Sequence, residues 1–384
     1  MDQQKIRLKG ITWDHSRGYT SIVAVAQRFH ELNPQVEIVW EKRSLQAFAD
    51  EPIDQLASRY DLLIIDHPWT GYDARTGVIF SLNSLLSSEF LDDQATHSVG
   101  KSHESYSYDG RQWALAIDAA TPVAASRPDL LAKSNLELPQ TWEQLTGLAQ
   151  KGLVAIPGIP QDTLMSFYMV CSTLGEDVCT GEERVVSEEV GLQALNRLRE
   201  LGAYIDPICF DMNPIKVYEA MTTSDRYAYS PFAYGYSNYS KKGYASELLK
   251  FHDLVAIAGQ KLITTLGGTG LSISASCQYP EIAAQFLRFA GCEFTQSGLY
   301  FESGGQPGHR KAWLSKGVNS QCLDYFKDTL PALDRSFLRP RYHGHMQFQD
   351  HAGRPIQQYM QFGGDAKAVL ATLNKLYLDS LQPR

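Results

Sequence analysis

Two dipeptides of the same kind, Asp14-His15 and Asp66-His67, follow two strand-like runs, Ile6–Trp13 and Tyr60–Ile65. A carboxylate beside an imidazole can bind hydroxyls, pair with cations or move protons. Trp13 and Arg17 flank the first pair. Pro68, Trp69 and Tyr72 follow the second, and the two aromatic rings offer flat faces to a sugar or an aromatic ligand. Arg43 lies three residues beyond a third run and could clamp an anion. Plainer uses compete with each of these. Asp14 or Ser16 can cap a helix start, Asp66 can close a turn, Trp69 can pack in a core, and Arg43 can form a surface ion pair.

The elements that must carry these residues alternate in type. After the first strand, Ile22, Val25, Ala26, Phe29 and Leu32 share one helical face that stops at Asn33-Pro34. Val36–Trp40 reads as a strand, Asp54–Ser58 as a short helix and Leu62–Ile65 as a buried strand. This β-α-β-α-β order predicts a parallel sheet, whose strand carboxyl ends are where ligands bind. The two Asp-His pairs then share one sheet edge. Further on, Trp113–Ile117 is a short strand entering Asp118, and Thr141-Trp142-Glu143-Gln144 is a capping box. Leu153–Ile156 reads as a strand, Thr163–Leu174 as an apolar helix, and Tyr227–Tyr244 is rich in tyrosine. Strands Leu262–Thr265 and Leu271–Ser274 flank a glycine segment, and helices cover Pro280–Gly291 and Asp365–Leu378.

Composition narrows the function. The 384 residues suit two lobes, and 43% hydrophobic with 20% charged residues is a globular balance. A net charge of −8 argues against nucleic acid and anionic membranes as partners, and no apolar run is long enough to span a bilayer. The six cysteines are scattered without CxxC spacing and read as buried small hydrophobes, which points to a reducing compartment. The opening Met1-Asp2-Gln3-Gln4-Lys5 has no leader-like pattern. It predicts a cytoplasmic chain as it stands, or a periplasmic or extracellular one from which a signal was removed.

No cofactor and no metal are expected. The phosphate-loop and GxGxxG patterns are missing, so Gly267-Gly268-Thr269-Gly270 can offer backbone amides but is not a nucleotide loop. Arg339, Arg341, His343 and His345 form a basic cluster. On a strand, the two histidines would share a face, and zinc would need a third ligand such as His351.

In order along the chain, these segments resemble the family 1 solute-binding proteins, the carbohydrate-type receptors of ABC importers. Tyr108-Asp109-Gly110-Arg111-Gln112-Trp113-Ala114-Leu115 is similar to that family's YDGKxYALP strand. Leu138–Leu145 is similar to its xPxTWxEL helix start, Gly267–Ser274 to GGxxLxIS, and Pro280–Ala290 to PEAAxxFLxF. The resemblance covers nearly the whole chain and implies an α/β, periplasmic-binding-protein-like fold. Two doubly wound lobes would be joined by hinge strands, with a ligand cleft between them. The expected lobes are residues 1–117 with 262–312, and residues 118–261 with 313–384.

The resemblance also implies a small polar ligand, sugar or sugar-acid-like, and an ABC permease as partner if the chain is exported. Trp13, Asp14, His15, Arg17, Arg43, Asp66, His67 and Trp69 would then line one wall of the cleft, with Gly268 and Thr269. Asp118 falls at a lobe crossing, and Tyr229, Phe232 and Tyr234 would stack from the second lobe. The alternative is a cytoplasmic enzyme on the same scaffold, an acid–base lyase or isomerase. There, Asp14 or His67 would act as base and His15 as acid in company with Asp66, while Arg17 or Arg43 would hold a carboxylate.

Overall fold

The computed structural model describes residues 5–382, so the opening Met1–Gln4 segment lies outside the described residues. The chain begins with β1 (Ile6–Trp13), α1 (Ser21–Leu32), β2 (Val36–Arg43) and β3 (Leu62–Ile65). Helix α2 (Ser88–Thr96) and strand β4 (Leu115–Ala120) follow. Then come β5 (Pro122–Ser126), α3 (Trp142–Ala149), α4 (Pro160–Thr173), α5 (Glu188–Gly202), β6 (Tyr229–Tyr234) and β7 (Lys250–His252). Strand β8 (Gly267–Ile273), α6 (Pro280–Gly291), α7 (His345–Phe362) and α8 (Ala366–Leu381) complete the principal elements.

The chain divides into two compact units. The first holds the chain up to Ala120, then Gly267–Asn319 and Arg341–His343; the second holds Thr121–Leu266, Ser320–Pro340 and the chain from Gly344 onward. The first crossing therefore falls at 120/121 rather than 117/118, because β4 continues through Asp118. The later crossings fall at 266/267 and 319/320, and three residues, Arg341–His343, return once more to the first unit.

In the first unit the strand order is β2-β1-β3-β8-β4. Strands β1, β2 and β3 are parallel, and β8 runs antiparallel to both its neighbours. The glycine segment expected as a loop is thus the first half of a central strand. Leu8, Val25, Phe29, Trp40, Leu271 and Phe286 belong to the core, where Phe29 meets Phe286 edge-on at 5.4 Å. Leu32, assigned to the buried face of α1, is 53% exposed at the helix end. Gly10 leaves room for the Trp40 ring, which would lie 2.5 Å from a Cβ there.

The second unit has an antiparallel ladder, β6-β5-β7. Among the described residues, parallel pairing in this unit takes the form of single bridges, Thr141 with Ala256, Val154 with Tyr229 and Thr265 with Phe337, so Leu153–Ile156 and Leu262–Thr265 are not extended strands. The capping box at Thr141 and Gln144 forms as expected. Helix α7 begins at His345, the last residue of the basic cluster. Gly353 lets it approach α4 so closely that a Cβ would sit 2.0 Å from the Pro160 carbonyl. Thr163 Oγ1 donates to the Gly353 carbonyl at 3.2 Å, and Gln357 Nε2 donates to the Gly158 and Phe210 carbonyls at 2.8 Å each.

Candidate functional site

One edge of the first unit's sheet gathers most of the residues singled out from the sequence. Because β1, β2 and β3 are parallel, their carboxyl ends fall together, and β8 brings its amino end to the same edge. The registers place Trp13 level with Arg43, Gly270 level with Ile65, and Thr269 level with Asp118. Gly268 has a φ of +94°, and a Cβ there would lie 2.3 Å from the Asp118 carbonyl oxygen. Only glycine suits that backbone and that approach.

One member of each Asp-His pair, His15 and Asp66, caps its own stretch of backbone. His15 Nδ1 accepts the Arg17 amide at 3.0 Å and caps the turn Ser16–Thr20. Burial, then the neighbouring Arg17, drives the His15 pKa down to about 3 against the opposing pull of Asp14, so its ring is neutral at neutral pH. Asp14 is half exposed and pairs with Lys42 at 2.8 Å. Asp66 Oδ1 accepts the His67 amide at 2.9 Å and caps the short helix His67–Trp69. His67 is fully buried, edge-on to Tyr106. Asp66 Oδ1 also lies 3.5 Å from His67 Nδ1, whereas Asp14 is paired with Lys42.

Arg17 and Asp118, expected to contact ligand separately, hold each other. Arg17 Nε donates to Asp118 Oδ2 at 2.8 Å, and Nη2 donates to Oδ1, in a buried two-bond pair. Burial pushes the Asp118 carboxyl up and the guanidinium opposes it. Arg43 donates to the Ala47 carbonyl at 3.1 Å and pairs with Glu51 at 3.3 Å. Trp69 meets Tyr72 edge-on at 5.6 Å, and Tyr72 stacks on His343 at 5.3 Å. Trp13 Nε1 and Thr269 Oγ1 are buried without a hydrogen-bond partner among the described residues. They are a donor and a hydroxyl at the same sheet edge, suited to a polar ligand group or an ordered water.

The second unit carries its own concavity, lined in part by Pro157, Asp162, Met165, Met169, Phe232 and Tyr234. Phe232 stacks on Trp142 with 13° between the planes, and Tyr234 Oη lies 3.1 Å from Thr265 Oγ1. Tyr229 is fully buried, its hydroxyl has no hydrogen-bond partner among the described residues, and burial pushes its pKa up. Asp162, in the first turn of α4, was not distinguishable in the sequence from an ordinary helix-start acid. Burial drives its pKa up to about 8, which overrides the helix dipole's usual downward pull.

The expected basic cluster is dispersed. Arg339 is buried and donates to the Leu266 carbonyl at 3.1 Å. Arg341 donates to the carbonyls of Glu104, Ser105 and Ser107 in the first unit. His345 is buried in α7, with its pKa lowered to about 3 by burial and then by Arg339. His351 sits on the exposed side of the same helix.

The chain is thus built of two α/β units, with a mixed sheet in one and an antiparallel ladder in the other. The family model for bacterial extracellular solute-binding proteins matches residues 12–200. Solved structures with the same fold include maltose-bound MalE3 of T. maritima, with TM-score 0.84 and 16% identity over 98% of this chain and 100% of that one. A ribitol complex of an ABC transporter solute-binding protein from Agrobacterium radiobacter K84 has TM-score 0.84 and 15% identity, covering 98% and 99%. A D-mannitol complex from Agrobacterium vitis S4 has TM-score 0.79 and 12% identity, covering 98% of each chain. At these identities the likeness is one of fold. No curated protein sequence matches the chain. The matched stretch and the shared fold make the chain similar to the bacterial extracellular solute-binding proteins.

Proposed function

We propose that this protein captures a small hydroxylated solute, a sugar or polyol, and presents it to an ABC permease. The family match carries the reading. The solved relatives named above hold maltose, ribitol and D-mannitol, and this chain's own groups suit the same chemistry. In the second unit, Phe232 and Tyr234 supply ring surface, and a protonated Asp162 can donate one hydrogen bond to a hydroxyl and accept another. In the first unit, Trp13, Thr269 and Trp69 supply the corresponding groups. Solute capture of this kind needs no bond to be made or broken, and the capping roles of His15 and Asp66 leave the lyase or isomerase reading unsupported.

Among the described residues, no helix is long and apolar enough to cross a membrane. The family match supports a periplasmic or extracellular place and a permease as partner.

The test is a thermal-shift panel of neutral mono- and disaccharides, pentitols and hexitols, followed by recovery of each binder. A stabilising ligand recovered unchanged supports capture. A ligand consumed in the absence of any other protein would overturn it. Trp69→Ala at the first unit's sheet edge and Tyr234→Ala in the second unit's concavity are each expected to weaken ligand-induced stabilisation, while Tyr229→Phe leaves it intact.

A further inference from the structure

A cluster outside the solute site has the composition of a metal centre. Asp93 and His97 lie one helical turn apart at the end of α2, with Asp93 Oδ1 2.9 Å from His97 Nδ1. His309 reaches them from more than two hundred residues away in the chain. It is held there by a bridge to Ser98 and by the hydrogen bond from the Arg310 amide to the His97 carbonyl, 2.7 Å long. Each side chain brings one ligand atom to within 4.8 Å of the others, and all three residues belong to the first unit.

His309 is only 2% exposed, yet its Nε2 has no hydrogen-bond partner among the described residues and points toward Asp93, with Oδ2 3.9 Å away. The two imidazole rings lie nearly parallel, 15° apart in plane and 4.9 Å between centroids. As a purely structural contact this arrangement is poor, since it buries a polar nitrogen without a partner. Asp93 is half exposed and leaves a path for an ion to enter.

We propose that Asp93, His97 and His309 form a binding site for a divalent transition ion of the zinc class. Two imidazole nitrogens and one carboxylate oxygen suit Zn²⁺, Co²⁺ or Ni²⁺, whereas Mg²⁺ and Ca²⁺ prefer all-oxygen sets. With metal–ligand bonds of about 2.0–2.2 Å, the three donors draw inward on binding and water fills the remaining position. His309 Nδ1 accepts the Lys311 amide at 3.3 Å, a long bond. Ligation through Nε2 places the ring proton on Nδ1 and gives up that cap. Lys311 is already paired with Glu293 at 2.7 Å, so its ammonium is partly neutralised beside the site. The ion would tie the end of α2 to the short helix Arg310–Leu314 and brace the first unit without touching the solute-binding edge.

The full chain, stripped with chelator and dialysed, is titrated with Zn²⁺ by calorimetry and with Co²⁺ by visible absorption. The expected result is one saturable site per chain, a d–d absorption band with Co²⁺, a raised melting temperature with Zn²⁺ and no response to Mg²⁺. Asp93→Asn and His97→Gln each weaken binding at least tenfold and remove the cobalt band, while the metal-free melting temperature stays close to that of the parent. Absence of saturable binding overturns the proposal, as does binding that survives both substitutions.

Discussion

At the residue scale, the buried ionisable groups make the clearest forecasts. Asp162 has a folded-state pKa raised to about 8 by burial, against about 3.9 in an unfolded chain. The unfolded state therefore releases this proton first as pH rises, and the group's contribution to stability falls from about pH 4 up to about pH 8. Asp162→Asn removes that contribution, so the variant's melting temperature gains on the parent's across this window and the two converge below it. A pH series of thermal melts checks this. His15 and His345 act in the other direction. Their folded pKa values near 3 mean that stability is lost as pH falls below about 6.5, where the unfolded histidines take up protons first.

The buried pair of Arg17 and Asp118 gives a second forecast. Arg17→Met alone leaves a buried carboxylate unpaired and is expected to destabilise by about 3–5 kcal/mol, with a smaller loss in the Arg17→Met/Asp118→Leu double variant. Urea denaturation of the single and double variants measures both. An equal or larger loss in the double variant would show that the pair itself is stabilising.

At the scale of elements, Gly268 sits where β8 approaches β4. Gly268→Ala forces a Cβ against the Asp118 carbonyl at a positive φ and is expected to destabilise by roughly 1–3 kcal/mol. Thr141→Ala, which removes half of a capping box, is expected to cost about 1 kcal/mol. Denaturant midpoints rank the two.

These elements also show what was legible in the sequence. The capping box, the parallel opening strands and the α6 span could be read locally, because backbone caps and side-chain periodicity act over a few residues. The role of β8 could not. Its glycines look like a loop until strands on both sides are known, and Gly268 is needed only because β4 lies against it. Helix α7 was hidden for a related reason. Gly353, Pro355 and two histidines lower its intrinsic helix propensity, and packing on α4 supplies what propensity withholds. In the same way, residue types marked out a sheet edge rich in polar groups, but which group bonds to which depended on three dimensions. Arg17 and Asp118 are a hundred residues apart in sequence, and Asp162 became notable only through its burial.

At the scale of the whole molecule, the family match and the fold support the proposed solute capture. A sugar or polyol that binds is expected to raise the melting temperature in proportion to the logarithm of its concentration above Kd. It should do so without any chemical change that NMR of the recovered ligand can detect.

The position of β8 between β3 and β4 also sets a clock during synthesis. When the ribosome has made β4, the first unit's sheet still lacks its middle strand, and all of Thr121–Leu266 must be translated before that strand emerges. At ~5–20 residues per second, the gap lasts on the order of ten seconds or more. Throughout it, β3 and β4 present open edges that invite pairing with other chains. The nascent protein is therefore most exposed to aggregation in mid-translation, and a ribosome stalled before Gly267 should display a first unit that a protease still cuts.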